Sequence, residues 1–157
     1  MPSHYRGNLK IVRSLNAFIN LMRASESVIS RLQKRLSAEG LTASQFGALE
    51  TLLHLGPLCQ TELGKKLLKT DGNVTMVVNH LEKRSLARRV RAGDDRRFVS
   101  VRLTSKGRAL IQKIFPRHAS AIKEEMSALS NLEQETLRKL CRKLGRKNEM
   151  IKKEIKR

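Results

Sequence analysis

Residues 88–107, RRVRAGDDRRFVSVRLTSKG, combine two strand-like runs with a concentration of arginine. Apolar Val99, Val101 and Leu103 alternate with the residues between them, and a period of two is typical of a half-buried strand. Residues 86–91 form a plausible partner strand, and AGDDRR between the two runs indicates a turn. This stretch therefore predicts a two-stranded hairpin with arginines at its base and at its tip.

A helix–turn–helix pattern comes directly before the hairpin. A short helix is predicted over about 60–68, with Leu63, Leu67 and Leu68 on its inward side, and KTDG follows as a turn. Thr70 or Asp71 can cap a second helix that runs from about 72 to 85. The apolar side of this second helix consists of Val74, Val77, Val78 and Leu81. Its other side carries Asn73, Thr75, Met76, Asn79, His80 and Lys83.

Two helices precede this central segment. One apolar stripe at helical spacing predicts a long helix over residues 8–37, which Gly40 ends. Thr42 and Gln45 have the spacing of a capping box, in which a hydroxyl and an amide satisfy each other's backbone donors. We therefore expect a second helix from this box to about His54, ended by the Gly-Pro pair that follows.

Two further helices follow the hairpin. Thr104 can cap a helix over residues 105–128, in which Pro116 predicts a kink or a break. The last helix is predicted over about 131–155, with an apolar stripe on one side and paired basic residues on the other. Because the long terminal helices have no apolar partner within the small central segment, we expect a second copy of the chain to cover them.

The charge of the chain favours a polyanionic partner. The net charge is +19 and the isoelectric point is near 11.0, and the excess occurs in residues 1–40, 41–104 and 105–157 alike. Such a surface attracts nucleic acid first and anionic membrane second. No apolar run approaches the roughly 18 residues that span a membrane, so we expect no membrane span, and a membrane-surface protein stays an alternative to a nucleic-acid-binding one.

Several other kinds of site are disfavoured by the residue pattern. There is no HExxH motif, no Cys/His cluster and no glycine-rich phosphate loop, so we expect no enzyme, no cofactor and no metal site. Cys59 and Cys141 form no CxxC pair, and the chain begins without a signal peptide. These features predict a protein of the reducing cytoplasm.

The polar side of the second helix of the helix–turn–helix is suited to reading DNA. Asn73, Thr75 and Asn79 can hydrogen-bond to base edges in the major groove, and Gly72 allows close backbone approach. Arginines on a hairpin suit a narrow groove of negative potential. A sequence-indifferent architectural DNA-binding protein is the alternative. RNA binding is disfavoured, because the chain has no Trp and few aromatic residues on which bases could stack.

The segment ELGKKLLKTDGNVTMVVNHLEKRSLARRV, followed by DDRRFVSVRLTSKG, resembles the multiple-antibiotic-resistance repressor (MarR) family of bacterial winged helix–turn–helix regulators. The resemblance covers nearly the whole chain. It implies a mainly α fold with a small β hairpin, in a single MarR-like domain over 1–157. Residues 41–104 would form the winged helix–turn–helix lobe, and residues 1–40 and 105–157 the dimerisation helices.

The same resemblance implies a function. Members of the family are homodimers that bind pseudo-palindromic double-stranded DNA, often as repressors. Release follows the binding of a small aromatic or phenolic ligand, or thiol oxidation. The chain is accordingly expected to be a DNA-binding transcriptional regulator, and a repressor on the family's record.

The resemblance also assigns roles to individual residues. Residues 72–83 resemble the recognition helix, and Asp95 and Arg97 resemble the pair at the hairpin tip in which the carboxylate orients the arginine for the minor groove. The predicted DNA-binding set is Thr70, Gly72, Asn73, Thr75, Met76, Asn79, His80, Lys83, Arg91, Asp95, Arg96 and Arg97. Tyr5 and Arg23 are candidates to line a ligand pocket.

Two residues depart from the family pattern. Ser85 stands where the family commonly has glycine after the recognition helix, so the exit of the chain is expected to differ slightly. Cys59 stands where Thr or Ser often caps the short helix, so a weak cap is expected. A thiol at a helix N-terminus can act as a redox sensor, which makes a regulator that senses oxidation through Cys59 a further alternative. We favour a structural role for Cys59, because the family's peroxide sensors carry their cysteine in the first helix, which has none here. We favour a structural role for Cys141 too, because it lies on the apolar stripe of the last helix, where cysteine behaves as a small hydrophobic residue.

Overall fold

The computed structural model describes residues 4–91 and 99–146, which form a mainly helical chain with a small antiparallel sheet. In chain order the elements are α1 (Leu9–Ala38), α2 (Ala43–Leu55), β1 (Leu58–Cys59), α3 (Gln60–Leu67), α4 (Asp71–Lys83), β2 (Ala87–Arg91), β3 (Val99–Leu103), α5 (Ser105–Met126) and α6 (Asn131–Gly145). The chain divides into two compact units, Met1–Ala119 and Ser120–Arg157. Among the described helices, none is long and apolar enough to cross a membrane.

The ends of the first two helices confirm the predicted caps. Gly40 adopts a left-handed conformation after α1, with φ of 69°. The Thr42 hydroxyl accepts the Gln45 N–H at 3.2 Å, and the Gln45 side-chain oxygen accepts the Thr42 N–H at 3.0 Å. Gly56 ends α2. Local capping chemistry therefore sets these boundaries.

The core of the first unit lies between α2, α3, α4, the sheet and the beginning of α5. Its fully buried side chains include Leu49, Leu52, Leu63, Val74, Val78, Leu81, Leu86, Val101 and Ile111. Three of these, Val74, Val78 and Leu81, come from α4, and Val77 is partly buried beside them. The predicted apolar face of this helix is thus the face that packs on the core.

The sheet has three strands, whereas the sequence predicted a two-stranded hairpin. The strand order is β1–β3–β2, and both pairings are antiparallel. In β1, Leu58 pairs with Val101 and Cys59 with Ser100. A strand of two residues is too short to show an alternation of apolar and polar residues in the sequence. Strand β1 joins the hairpin to Cys59, the residue that caps α3.

Helix α4 begins and ends with different chemistry. Thr70 occupies the position before the helix but makes no side-chain cap, and Asp71 is the first helical residue, so neither predicted cap is present. At the other end Ser85 is left-handed, with φ of 56°. Its N–H donates to the Glu82 carbonyl, and the next N–H, of Leu86, donates to the Leu81 carbonyl, both at 2.8 Å. This is the Schellman termination that glycine usually occupies, so serine retains the exit at a conformational cost.

Helix α5 is anchored at its start by a residue pair. Thr104 accepts the Gly107 N–H at 3.0 Å and donates its own hydroxyl proton to the Ser85 carbonyl at 2.7 Å. A Cβ atom on Gly107 would lie 1.8 Å from the Leu86 carbonyl oxygen, so only glycine allows this approach. Thr104 therefore caps α5, as predicted, and also attaches it to the exit of α4.

The predicted break at Pro116 does not occur, since α5 continues through it. Ile114 is buried in the core and Phe115 packs against that core, so tertiary contacts hold the helix across the missing hydrogen bond. In the second unit, Ser130 and Glu133 form a capping box at the start of α6. The helix extends to Gly145, and the rest of the predicted span to residue 155 lies outside the described residues.

Replacing Ser85 by glycine should raise the free energy of unfolding by about 1 kcal/mol, because a left-handed backbone costs an L-residue roughly 1–2 kcal/mol. Ser85→Ala is the matched control, since it removes the same hydroxyl and keeps the strain. Urea denaturation measures both variants. A glycine variant no more stable than the alanine variant would contradict the argument.

Candidate nucleic-acid interface

Helix α4 turns one face to the core and the opposite face to solvent. The exposed face contains all the predicted base-reading residues, namely Gly72, Asn73, Thr75, Met76, Asn79, His80 and Lys83, and Thr70 is exposed just before the helix. A Cβ atom on Gly72 would meet open space, so nothing in the described chain requires glycine there. Beside Met76, Asn79 and Lys83 lies an open cleft of about 350 Å³. This face is therefore open to contact by an external molecule.

A chain of hydrogen bonds runs beneath this exposed face. The Thr75 hydroxyl donates to the Asp71 carbonyl at 2.9 Å and accepts from the Gln60 side-chain amide at 3.0 Å. The Gln60 side-chain oxygen accepts from Arg89 Nε at 2.7 Å. Arg89 is in turn paired with the Glu82 carboxylate, which also accepts the Arg89 backbone N–H at 2.7 Å. These bonds connect α3, α4 and β2.

Sequence reasoning missed three members of this hydrogen-bond chain, namely Gln60, Glu82 and Arg89. Gln60 lies 15 residues from Thr75 and 29 from Arg89, so no local spacing marks their contact. Arg89 belongs to a run of arginines that the sequence presents as equivalent. Arg88 is exposed, whereas Arg89 is half-buried and engaged inside the protein. The available signal is the period of two, which places Arg89 on the same face of β2 as the buried Ala87.

The base of the hairpin is formed as predicted. The β2–β3 register runs from Ala87 opposite Leu103 to Arg91 opposite Val99, and Arg91 is exposed at the last described position before the tip. The other predicted residues of the hairpin, Asp95, Arg96 and Arg97, lie outside the described residues. Their roles remain predictions.

Similarities to known proteins agree on one family. A model described as "MarR family" matches residues 39–97. The HTH-type transcriptional regulator MhqR of Bacillus subtilis is 36% identical over 133 residues, which cover 85% of this chain and 92% of that protein. The chain belongs to the MarR family.

Two further similarities extend this finding. The transcriptional repressor MprA of Escherichia coli is 30% identical over 78% of this chain and 71% of that protein. The solved structure of Bordetella bronchiseptica BpsR, whose DNA binding is described as regulated by 6-hydroxynicotinic acid, is 27% identical. It covers 82% of this chain and 98% of that one, with a TM-score of 0.75. The predicted MarR family and fold class are thereby confirmed.

The exit of α4 in this MarR protein is bonded to the ends of two other helices. The Arg84 guanidinium donates to the Gly40 carbonyl, where α1 ends. Lys106 Nζ donates to the Arg84 carbonyl at 3.1 Å, and Thr104 donates to the Ser85 carbonyl. The C-terminal end of α4 is thus in direct contact with the turn after α1 and with the start of α5.

Cys59 serves as the cap of α3. Its Sγ atom accepts the Glu62 N–H at 3.4 Å, and the Glu62 carboxylate accepts the Cys59 N–H at 3.0 Å. Hydrogen bonding from the backbone and side chain of Cys59 lowers the pKa of the Glu62 carboxyl. The cap predicted to be weak is formed, although through sulfur. Cys141, which the sequence placed on an apolar stripe, is exposed in the described chain.

A small cavity lies among α1, α2 and α5. Its volume is about 170 Å³, and its lining consists of Ile29, Leu32, Gln33, Leu36, Ala43, Phe46 and His118. Within the described residues, His118 Nδ1 is buried without a hydrogen-bond partner, and its ring lies 4.2 Å from that of Phe46. Gln33 bonds to the Leu41 carbonyl at 3.1 Å and to the Ala43 N–H at 2.7 Å. Neither Tyr5 nor Arg23 lines this cavity, and their predicted ligand role is untested.

No group of three or more His, Cys, Asp or Glu residues in the described parts of the chain could hold a metal ion.

The pKa of the cavity histidine, His118, is shifted. Burial lowers the pKa of His118 below 6.5, and the nearby Glu50 carboxylate opposes the shift. Because the folded-state pKa is depressed, the unfolded chain binds this proton first as pH falls. The contribution of neutral His118 to the free energy of unfolding is therefore present above pH 6.5 and is lost as the pH falls below that value.

His118→Phe should remove this acid-side loss, because phenylalanine keeps the ring without the titration. Urea unfolding between pH 7.5 and pH 5.5 measures the effect, and carboxyl titration contributes little in this window. His80→Gln changes an exposed histidine and should keep the wild-type slope. An unchanged pH dependence in His118→Phe would contradict the assignment.

Proposed function

We propose that this chain is a homodimeric transcriptional regulator, acting as a repressor, that binds a pseudo-palindromic DNA operator and is released by a small ligand. The observation that carries the proposal is the division of α4. Val74, Val78 and Leu81 on its apolar face are fully buried, while every polar residue predicted to read bases is exposed to solvent beside an arginine-rich hairpin. MhqR and MprA, which share this family, are named as regulators of transcription.

Each part of the DNA-binding set has a role in this proposal. Residues 72–83 enter the major groove, where Asn73, Thr75 and Asn79 bind base edges. Arg91, Arg96 and Arg97 contact phosphates and the adjacent minor groove, with Asp95 orienting Arg97. The remaining members, Thr70, Met76, His80 and Lys83, complete the surface that faces the groove.

Dimerisation follows from exposed apolar surface in both units. In the first unit, α1 exposes 80% of Leu9, 60% of Phe18 and 52% of Met22. In the second unit, α6 has no buried residue among those described, and it exposes Leu132, Leu137, Leu140 and Leu144. We propose that residues 1–40 and 105–157 pair with those of a second copy, because such stripes are stable only when covered.

The cavity of α1, α2 and α5 is proposed as the ligand site. Its walls are largely apolar, and His118 Nδ1 supplies one polar atom without a partner among the described residues. A small aromatic molecule with a hydroxyl or carboxyl group fits this chemistry. We propose that the chain has no catalytic activity, requires no cofactor and acts in the cytoplasm, where it meets the DNA.

Selection of bound sequences from random DNA tests the function. A regulator should enrich one palindromic sequence and bind it at least about 10³-fold more tightly than unrelated DNA. A sequence-indifferent architectural protein would show one affinity for all DNA. That result would overturn the proposal.

Asn73→Ala and Asn79→Ala should each lower affinity for the selected operator by about 1–3 kcal/mol and leave binding to unrelated DNA almost unchanged. The reason is that a base contact is lost while phosphate contacts stay. Fluorescence anisotropy on both DNAs measures this. Gln112→Ala, on the exposed side of α5, is the control. Full selectivity in both asparagine variants would refute the assignment of α4.

Arg97→Ala should weaken binding to every sequence, most on A·T-rich flanks, and reduce the salt slope by about 1. Asp95→Ala should give a milder form of the same defect if Asp95 orients Arg97. Charge alone predicts the opposite sign, since removal of an acidic group near phosphates strengthens binding. Tighter binding by Asp95→Ala at matched salt would therefore exclude the orienting role. Sedimentation should show both variants as dimers.

A further inference from the structure

The hydrogen-bond chain beneath α4 has one possible direction. Arg89 carries only donors, so the Gln60 side chain must turn its oxygen toward Arg89. The Gln60 NH₂ group must then face Thr75, which can only accept from it. Glu82 holds Arg89 from the other side through a charged pair. The polarity of the whole chain is thus set by an ion pair that has no other assigned role.

This polarity determines what Thr75 can offer to a ligand. A hydroxyl has one donor and two acceptor positions. The donor is used on the Asp71 carbonyl at 2.9 Å, and one acceptor position is used by Gln60 at 3.0 Å. Thr75 is nevertheless exposed on the face of α4. A single acceptor position remains for any external partner.

We infer that Thr75 presents only a hydrogen-bond acceptor to DNA, and that Gln60 acts as a positioning residue that fixes this polarity. In the major groove the complementary groups are the exocyclic amines, N6 of adenine and N4 of cytosine, whereas guanine O6 and thymine O4 are acceptors. The operator therefore carries adenine or cytosine at the base that faces Thr75 in each half-site. This inference rests on the proposed function and adds a base preference to it.

Three variants separate this preference from general binding. Thr75→Val keeps the shape of the side chain and removes the hydroxyl. Gln60→Leu keeps the hydroxyl and removes the amide that fixes it, and it keeps the test decisive if Thr75→Val does not fold. Thr51→Val is the matched control, because it makes the same substitution on α2, outside the residues that the proposed function assigns to DNA binding and dimerisation.

The experiment measures the affinity of each variant for the operator selected by the wild-type protein and for versions with every base pair replaced in turn. At one position in each half-site, the wild type and Thr51→Val should bind adenine or cytosine about fivefold more tightly than guanine or thymine. Thr75→Val should bind all four alike there. Gln60→Leu should reduce the preference to about twofold, because the Thr75 hydroxyl is then free to reorient.

Two results would overturn the inference. One is a Thr75-dependent preference for guanine or thymine, which would show that the hydroxyl donates. The other is an operator in which no position depends on Thr75 or Gln60. A selection that enriches no sequence would instead overturn the proposed function, and with it this inference, so the two failures are distinguishable.

Discussion

The burial of one face of α4 decides where the rest of the interface lies. Val74, Val78 and Leu81 have no exposed surface, and each fully buried aliphatic side chain contributes roughly 1.5–3 kcal/mol. The helix cannot rotate about its axis without exposing them. The exposed polar side chains are consequently fixed by the hydrophobic contacts on the opposite side. Specific recognition of a rigid groove requires such a fixed presentation.

The sequence was sufficient for elements whose boundaries depend on local chemistry. The capping box of Thr42 and Gln45, the left-handed Gly40 and the cap at Thr104 all lie where the pattern predicted, because each acts within a few residues. Tertiary effects were not predictable in this way. Strand β1 has only two residues, and α5 passes through Pro116 because Ile114 and Phe115 pack on the core. The contact between Gln60 and Thr75 depends on the arrangement of three separate elements.

The first unit also contains a physical connection between the candidate ligand cavity and α4. Gln33 lines the cavity and bonds to both sides of the turn between α1 and α2. The Gly40 carbonyl in that turn accepts from Arg84, at the end of α4. A ligand that moves Gln33 would alter the turn and, through Arg84, the exit of the helix. That exit includes Ser85, whose left-handed conformation already carries strain.

The arginines near the hairpin divide into two physical classes. Arg88 and Arg91 are exposed, so in the proposed complex they would attract any phosphate backbone, as would the rest of the net charge of +19. Arg89 is half-buried and neutralised by Glu82, so its guanidinium orients Gln60 and is not available to a phosphate group. A charge count from sequence therefore overstates the phosphate contacts. If the proposed function holds, general affinity comes from the exposed charges, whereas discrimination between sequences depends on neutralised groups such as Arg89, whose contacts with Gln60 and Glu82 orient the polar face of α4.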